Sequence, residues 1–239
     1  MAITGEPGGE PVKVGVAVVD VLTGQNAALG ILAALRERDR SGLGQRLEVA
    51  LYDAALAGLV NIGQAALIGS EAPRHGNAHA NIVPYQAFAA ADRMVVVAVG
   101  NDDQWRRLCA VLESPALAAD PRFATNPLRV ENREELIPVL AGRIGERPAA
   151  EWVERLEEVG VPCALVRSVA EAVGEPGFRE RAGIWTMAGR GYGAVETIAP
   201  AIRLTDTPAR LIRPAPALGE HTAEVEANGW GDPPPPITP

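Results

Sequence analysis

Residues 14–24 read Val14-Gly15-Val16-Ala17-Val18-Val19-Asp20-Val21-Leu22-Thr23-Gly24, an apolar run that meets a carboxylate just before the pattern changes. The run over 14–19 predicts a short buried strand or extended segment, because it is rich in β-branched residues and bounded by a polar position. From about residue 23 to 40 the pattern turns helical. Ala27, Leu29, Ile31, Leu32, Ala34 and Leu35 supply the apolar positions, and Arg36, Arg38 and Arg40 put positive charge at the carboxy end of the helix dipole. Ser41-Gly42-Leu43-Gly44 stops the helix. Residues 46–51 predict a second strand and residues 52–68 a second helix. This strand–helix–strand–helix order points to an α/β fold.

Beyond this start lies a polar loop over 71–81, rich in Pro, Gly, Asn and His. Runs at 83–89 and 93–99 predict two strands, with Ala90-Ala91-Asp92 as the hairpin turn. A helix over 102–112 has Asn101 as its amino cap and Gln104 where a capping-box partner belongs. Asp120-Pro121 starts another turn. Helices are expected at 132–144 and 149–159, the second closed by Gly160. A short strand over 161–166 and a short helix over 169–173 follow. Residues 184–187 and 194–198 are expected to pair as strands, with 202–204 extending the second. A last short helix opens after Leu218-Gly219-Glu220-His221-Thr222. From Trp230 the chain is too rich in proline for helix or central strand and is expected to be disordered.

Composition narrows the function. With 47% apolar residues the chain can fill a core, and its net charge of −8 disfavours a nucleic-acid or membrane-surface role. No stretch is read as a membrane span, and residues 1–12 lack an apolar signal core. The two cysteines, Cys109 and Cys163, form no CxxC pair and read as core residues. Three histidines without ligand spacing give no reason to expect a metal. A reducing, cytoplasmic setting fits this cysteine usage.

Asp20 is the first candidate for chemistry. A carboxylate at a strand-to-helix junction lies near free backbone N–H groups, where ligands of α/β sheets collect. An ionised carboxylate can attack a thioester carbonyl and form a mixed anhydride without a general base. Taken locally, the same residue reads first as a helix cap. Residues 74–85 offer neutral donors and acceptors in His75, Asn77, His79 and Asn81 around a permissive Gly76, or serve as a plain connection. Asn101-Asp102-Asp103 follows a strand end and reads first as a capped helix start. Arg36, Arg38, Arg40 and Arg46 cluster where they could meet phosphates, or pair with Glu37 and Asp39 on a solvated helix end.

Several separated segments resemble the class III CoA-transferases, the family of formyl-CoA transferase and carnitine CoA-transferase. Residues 15–24 resemble the segment that carries that family's catalytic aspartate. Ser41-Gly42-Leu43-Gly44-Gln45 is similar to its T/S-G-x-G-Q turn, and residues 47–55 (LEVALYDAA) to its next strand and helix start. Residues 74–85 resemble its R-x-G-N-x-H-x-N-x-x-P-Y loop. Val99-Gly100-Asn101-Asp102, Asp120-Pro121-Arg122-Phe123, Gly160-Val161-Pro162-Cys163 and Leu218-Gly219-Glu220-His221-Thr222 follow in the family's order.

The resemblance implies part of a Rossmann-like large domain with an inserted small α+β domain. The expected organisation is a large-domain part over 1–75 carrying Asp20, the small domain over 76–183, a return to the large domain over 184–228, and a tail over 229–239. It implies transfer of CoA between an acyl-CoA thioester and a carboxylic acid, with Asp20 catalytic and no metal. Gly76, Asn77, His79, Tyr85, Asn101 and Asp102 become candidate substrate contacts, and Arg38 and Arg46 candidate contacts to CoA. Family members are nearly twice as long, with an amino-terminal portion that supplies most nucleotide contacts, so the chain is expected to be a carboxy-terminal portion working as a homodimer or with a separate amino-terminal subunit. The alternatives are an acyl-CoA racemase or epimerase of the same superfamily, with Asp20 as one of two acid/base groups, or a non-catalytic truncated subunit.

Overall fold

The computed structural model describes residues 1–181, 183–189, 193–212 and 215–229. The expected disorder from Trp230 onward lies outside the described residues. The chain divides into two compact units, Met1–Val166 and a second that begins at Arg167. Both are mixtures of helix and antiparallel strand.

The first unit starts with three helices, α1 (Val18–Ser41), α2 (Leu51–Ala57) and α3 (Asn61–Leu67). The hairpin β1 (Tyr85–Ala89) and β2 (Met94–Ala98) follows, then α4 (Asp102–Val111), α5 (Pro115–Ala119), a 3-10 turn over Pro121–Phe123, α6 (Asn126–Glu131), α7 (Arg133–Ile144), α8 (Ala149–Glu158) and β3 (Cys163–Leu165). The sheet order is β1-β2-β3, with both pairs antiparallel. Phe88 lies opposite Val95, and Val97 opposite Cys163. Alternation along β2 therefore turns Val95 and Val97 into the core with Phe88.

Helical spacing supplies the other side of this core. α4 buries Trp105, Leu108 and Cys109, α7 buries Leu136, Leu140 and Ile144, and α8 buries Ala149, Trp152 and Leu156. Each large side chain hidden this way contributes about 2 kcal/mol relative to exposure. Trp152 Nε1 donates to Ile144 O at 2.7 Å, so its polar atom enters the core satisfied. The caps agree with the sequence. Asn101 Oδ1 accepts from Gln104 N at 2.9 Å, while Gln104 Oε1 accepts from Gly100 N, one residue before the cap, at 2.7 Å.

The first seventy residues depart from expectation. Residues 14–17 form no strand, and α1 begins at Val18, so Asp20 sits inside the helix rather than before it. A strand needs a neighbour for its N–H and C=O groups, and among the described residues no strand pairs with this run. Residues 43–50 form no strand, and Leu47 packs on α1 instead: a Cβ added at Gly30 would meet Leu47 Cδ1 at 2.8 Å. Gly58 likewise admits Leu22, whose Cδ1 would stand 2.9 Å from an added Cβ. The helix expected over 52–68 breaks into α2 and α3, with Val60 between them at φ 49°. By length and composition α1 is long and apolar enough to cross a membrane, which the strand reading of its first turn had hidden.

The second unit holds α9 (Val169–Gly174), α10 (Pro176–Glu180), the hairpin β4 (Ile184–Gly189) and β5 (Gly193–Ile198), and α11 (Thr222–Asn228). Ser168 and Glu171 form a reciprocal capping box on α9. β4 and β5 pair antiparallel, Ile184 opposite Ile198. Residues 202–204 add no strand to this pair.

Candidate active site

Asp20 is the third residue of α1 and its side chain is exposed. No side chain caps the helix start; Val18 N donates to Val16 O at 2.8 Å, which leaves the Val19 and Asp20 amides as the first-turn donors for an anion. Among the described residues the Asp20 carboxylate has no hydrogen bond and no ion pair. Two other polar groups of the helix turn inward on its backbone. Thr23 Oγ1 donates to Val19 O at 2.7 Å and Asn26 Nδ2 to Leu22 O at 2.9 Å. A cavity of about 230 Å³ lies between α1 and α2, lined by Asn26, Glu48, Asp53 and small apolar residues. Asp20 is not part of its wall.

The loop over 74–85 is tied down at both ends. Arg74 donates to Ala2 O at 3.2 Å and Gly9 O at 2.5 Å, and Gly76 N donates to Gly5 O at 3.0 Å. Gly76 has φ +60°, and the Glu6 carboxylate rests against it. Asn77 Oδ1 accepts from Ala87 N at 3.1 Å. His79 stacks on Tyr85 with ring centroids 5.3 Å apart, while its backbone N donates to Tyr85 O at 2.8 Å. Gly76, Asn77, His79 and Tyr85 are thus brought together on one fixed loop. A cavity of about 480 Å³ beside it is lined by Glu6, His75, Asn77, Gln86, Arg133 and Glu134 among others. Burial first, then the charges of Arg133 and His79, push the His75 imidazole below its ordinary value.

Asp102 joins this loop indirectly, while Asn101 caps α4 and is not brought to it. Asp102 Oδ1 accepts from Asn126 N at 3.0 Å and from Arg129 Nη2 at 2.9 Å. Asn126 in turn receives Val83 N at 3.0 Å and donates to Asn81 O at 2.8 Å. The buried Arg129 also donates to Val83 O at 2.8 Å and Phe123 O at 3.0 Å, with its guanidinium 5.1 Å above the Trp105 ring. Burial lowers the Arg129 pKa and the Asp102 charge opposes that. Neither Asn126 nor Arg129 stood out in the sequence, since all their partners but Phe123 are 24 to 46 residues away.

Arg38 and Arg46 are not brought to Asp20. Arg38 pairs with Asp39 at 3.3 Å and Arg46 with Glu48 at 2.5 Å, both in solvent. Along a helix rising 1.5 Å per residue, Arg38 stands about 27 Å from Asp20. Among the described residues no three His, Cys, Asp or Glu side chains gather as a metal site. In the second unit His221 Nδ1 lies 3.2 Å from Glu224 Oε2 on the exposed α11.

Comparison with known proteins places this arrangement. The sequence profile of CoA-transferase family III matches residues 1–222. The chain is 38% identical to a succinate–glutarate CoA-transferase of Agrobacterium fabrum, over 95% of this chain and 57% of that protein. It is 36% identical to the succinyl-CoA:glutarate CoA-transferase of Homo sapiens, over 94% of this chain and 52% of that one. A solved CAIB/BAIF family protein from Brucella suis superposes with a TM-score of 0.79 at 36% identity, covering 95% of this chain and 59% of that one. The chain spans a little over half the length of these relatives, and it belongs to CoA-transferase family III.

Proposed function

We propose that this chain carries the nucleophile of a CoA-transferase, moving CoA from an acyl-CoA thioester to a free carboxylic acid, with Asp20 as the reacting group. One observation carries the reading: within the region matched by the family, Asp20 presents an exposed, unpartnered carboxylate in the uncapped first turn of α1. A carboxylate held in a permanent ion pair would be a poor nucleophile. In this reading an Asp20 oxygen attacks the thioester carbonyl, the C–S bond breaks, and the CoA thiolate leaves an aspartyl acyl anhydride. The thiolate then attacks the aspartyl carbonyl, giving an aspartyl-CoA thioester and releasing the donor acid. The acceptor carboxylate repeats the sequence in reverse and departs as the new thioester, restoring Asp20. First-turn amides of α1 stabilise the oxyanions.

The relatives named for succinate and glutarate make short dicarboxylic acids the substrates to test first. Gly76, Asn77, His79 and Tyr85 wall the reacting centre against water, which an acyl anhydride demands. Asp102 holds that wall from α4 through Asn126 and Arg129, and Asn101, as the cap of α4, meets substrate from the neighbouring strand end. Arg38 and Arg46 offer their guanidiniums to CoA phosphates. The large domain is Rossmann-like with the small α+β domain inserted, and the enzyme works as a homodimer or with a separate amino-terminal subunit.

The test is chemical trapping. Protein treated with succinyl-CoA and then hydroxylamine should carry a hydroxamate on Asp20, located by peptide mass spectrometry. Asp20→Asn should abolish both the adduct and succinyl-CoA:glutarate exchange. Exchange that survives in Asp20→Asn removes the mechanism.

A further inference from the structure

The second unit encloses a cavity of about 220 Å³ built around the open end of the β4–β5 hairpin. Gly183 fixes that end. It packs so closely on α10 that an added Cβ would stand 2.5 Å from the Phe178 ring. Its N donates to Phe178 O at 3.0 Å and its O accepts from Ala199 N at 2.9 Å. Arg181 and Trp185 flank Gly183 two residues to either side, and Trp185 lies in β4 opposite Thr197. Past Ala199 and Pro200 the chain runs back without regular structure, and Ile202, Arg203 and Leu204 complete the wall. Among the described residues no carboxylate lines this cavity. Arg181 and Arg203 have neither an ion pair nor a side-chain hydrogen bond there. Arg179, two residues earlier, is by contrast held by Glu196 at 3.2 Å. Two unopposed guanidiniums thus border one small space in a chain whose net charge is −8. The rest of the wall is apolar: Trp185 is half-buried, and Ile202 and Leu204 keep 75% and 54% of full exposure.

We infer that this cavity binds a small aromatic carboxylate, with the carboxylate between Arg181 and Arg203 and the ring against Trp185, Ile202 and Leu204. Each part of the wall selects one part of the ligand. Guanidiniums meet a carboxylate through paired N–H···O bonds, and arginine presents its donors in a fixed fork suited to that shape. An indole takes a second ring in offset-stacked or edge-to-face contact. A neutral ring would leave two like charges sharing the cavity, and a bare inorganic anion would leave its apolar wall wet. Size sets the limit. Drug-sized ligands fill about 300–1,000 Å³, so this smaller space suits a single ring with one acidic group. The site lies wholly within the second unit and uses no residue of the CoA-transfer reading, so it stands or falls apart from Asp20.

The experiment titrates benzoate into the full chain and follows the Trp185 indole N–H by nitrogen-15 NMR, the resonance being the one lost in Trp185→Phe. Benzoate is expected to shift it saturably, with a Kd below about 1 mM. Benzamide, which keeps the ring and loses the charge, and inorganic phosphate, which keeps the charge and lacks the ring, should each bind at least tenfold more weakly. Arg181→Gln and, independently, Arg203→Gln should each weaken benzoate at least fivefold, and the double variant should abolish the shift. The backbone amides of Ile184 and Ile198, opposite each other at the hairpin end, should keep their positions in both variants, which separates lost binding from lost folding. The inference is overturned if benzoate leaves the Trp185 resonance in place, if benzamide or phosphate binds as tightly as benzoate, or if binding survives unchanged in the double variant.

Discussion

Arg129 Nη2 and Asp102 Oδ1 lie 2.9 Å apart, joining a guanidinium with no solvent exposure to a carboxylate that keeps 42% of its side-chain surface. The cation is the buried partner, and its remaining donors go to Val83 O and Phe123 O. Asp102 therefore does two jobs at once. It starts α4 with negative charge at the helix amino end, and it neutralises the one charge that fastens the 79–85 loop to α6.

Removing that carboxylate leaves Arg129 buried and uncompensated. Asp102→Ala is expected to lower unfolding free energy by about 3 kcal/mol, as broken buried pairs do. Urea denaturation followed by tryptophan fluorescence measures it, because Trp105 lies under the guanidinium. In the double variant Asp102→Ala/Arg129→Met the charge is gone from both sides. Its loss should fall short of the two single losses added together, and strict additivity would mean that the pair does not act as a unit.

How much could be read in the sequence follows the same division. Over 83–161 period and burial agree: Phe88, Val95 and Val97 alternate, Leu136, Leu140 and Ile144 recur at helical spacing, and the strands and longer helices lie within a residue or two of their expected limits. The short helices α5, α6 and α10 escaped, because five or six residues carry too little periodicity to show. Over 14–19 the same valines that suit a strand became the lead-in and first turn of α1, since a lone apolar run has no ladder to join. The loop residues Gly76, Asn77, His79 and Tyr85 were legible as a group. Arg129 was not, because an arginine in an amphipathic stretch looks like a solvated one until the distant carbonyls it meets are known.

His75 makes a pH-dependent contribution whose sign is fixed by its environment. Burial and the nearby Arg133 hold the imidazole below its ordinary value of 6.5, so the folded chain binds this proton less readily than the unfolded one. Between those two values the unfolded state carries more protons, and stability rises with pH. Stability linked to His75 is in full above pH 6.5 and is lost as pH falls toward the folded value. In urea titrations from pH 5 to 8 the His75→Gln variant should show a flatter profile than the parent below about pH 6.5. An unchanged slope would place the titration elsewhere.

Cys109 is closed to reagents for a physical reason. It lies in the core between Leu108 and Val111, and burial pushes its thiol up to about 12. Burial also raises Cys163. At pH 8 the folded protein should therefore react slowly with Ellman's reagent at both positions, and both thiols should be released on unfolding in guanidinium. A fast thiol in the native protein that disappears in Cys163→Ser would identify the half-buried β3 position as accessible and leave Cys109 as the inert one.

Gly76 separates two kinds of strain. Its φ of +60° lies in the left-handed region, and a Cβ there would stand 2.8 Å from Glu6 Oε2. The contact is with the far end of a flexible side chain, which can swing aside at little cost. The backbone conformation is the larger obstacle, at roughly 1–2 kcal/mol for an L residue. Gly76→Ala should lose about that much in urea unfolding, and adding Glu6→Ala should recover little of it. Gly76→Asn should be milder, because asparagine tolerates this region better than alanine. If Glu6→Ala instead restores Gly76→Ala to full stability, the clash rather than the backbone governs the position, and the amino-terminal loop sets the shape of the 74–85 loop through that one carboxylate.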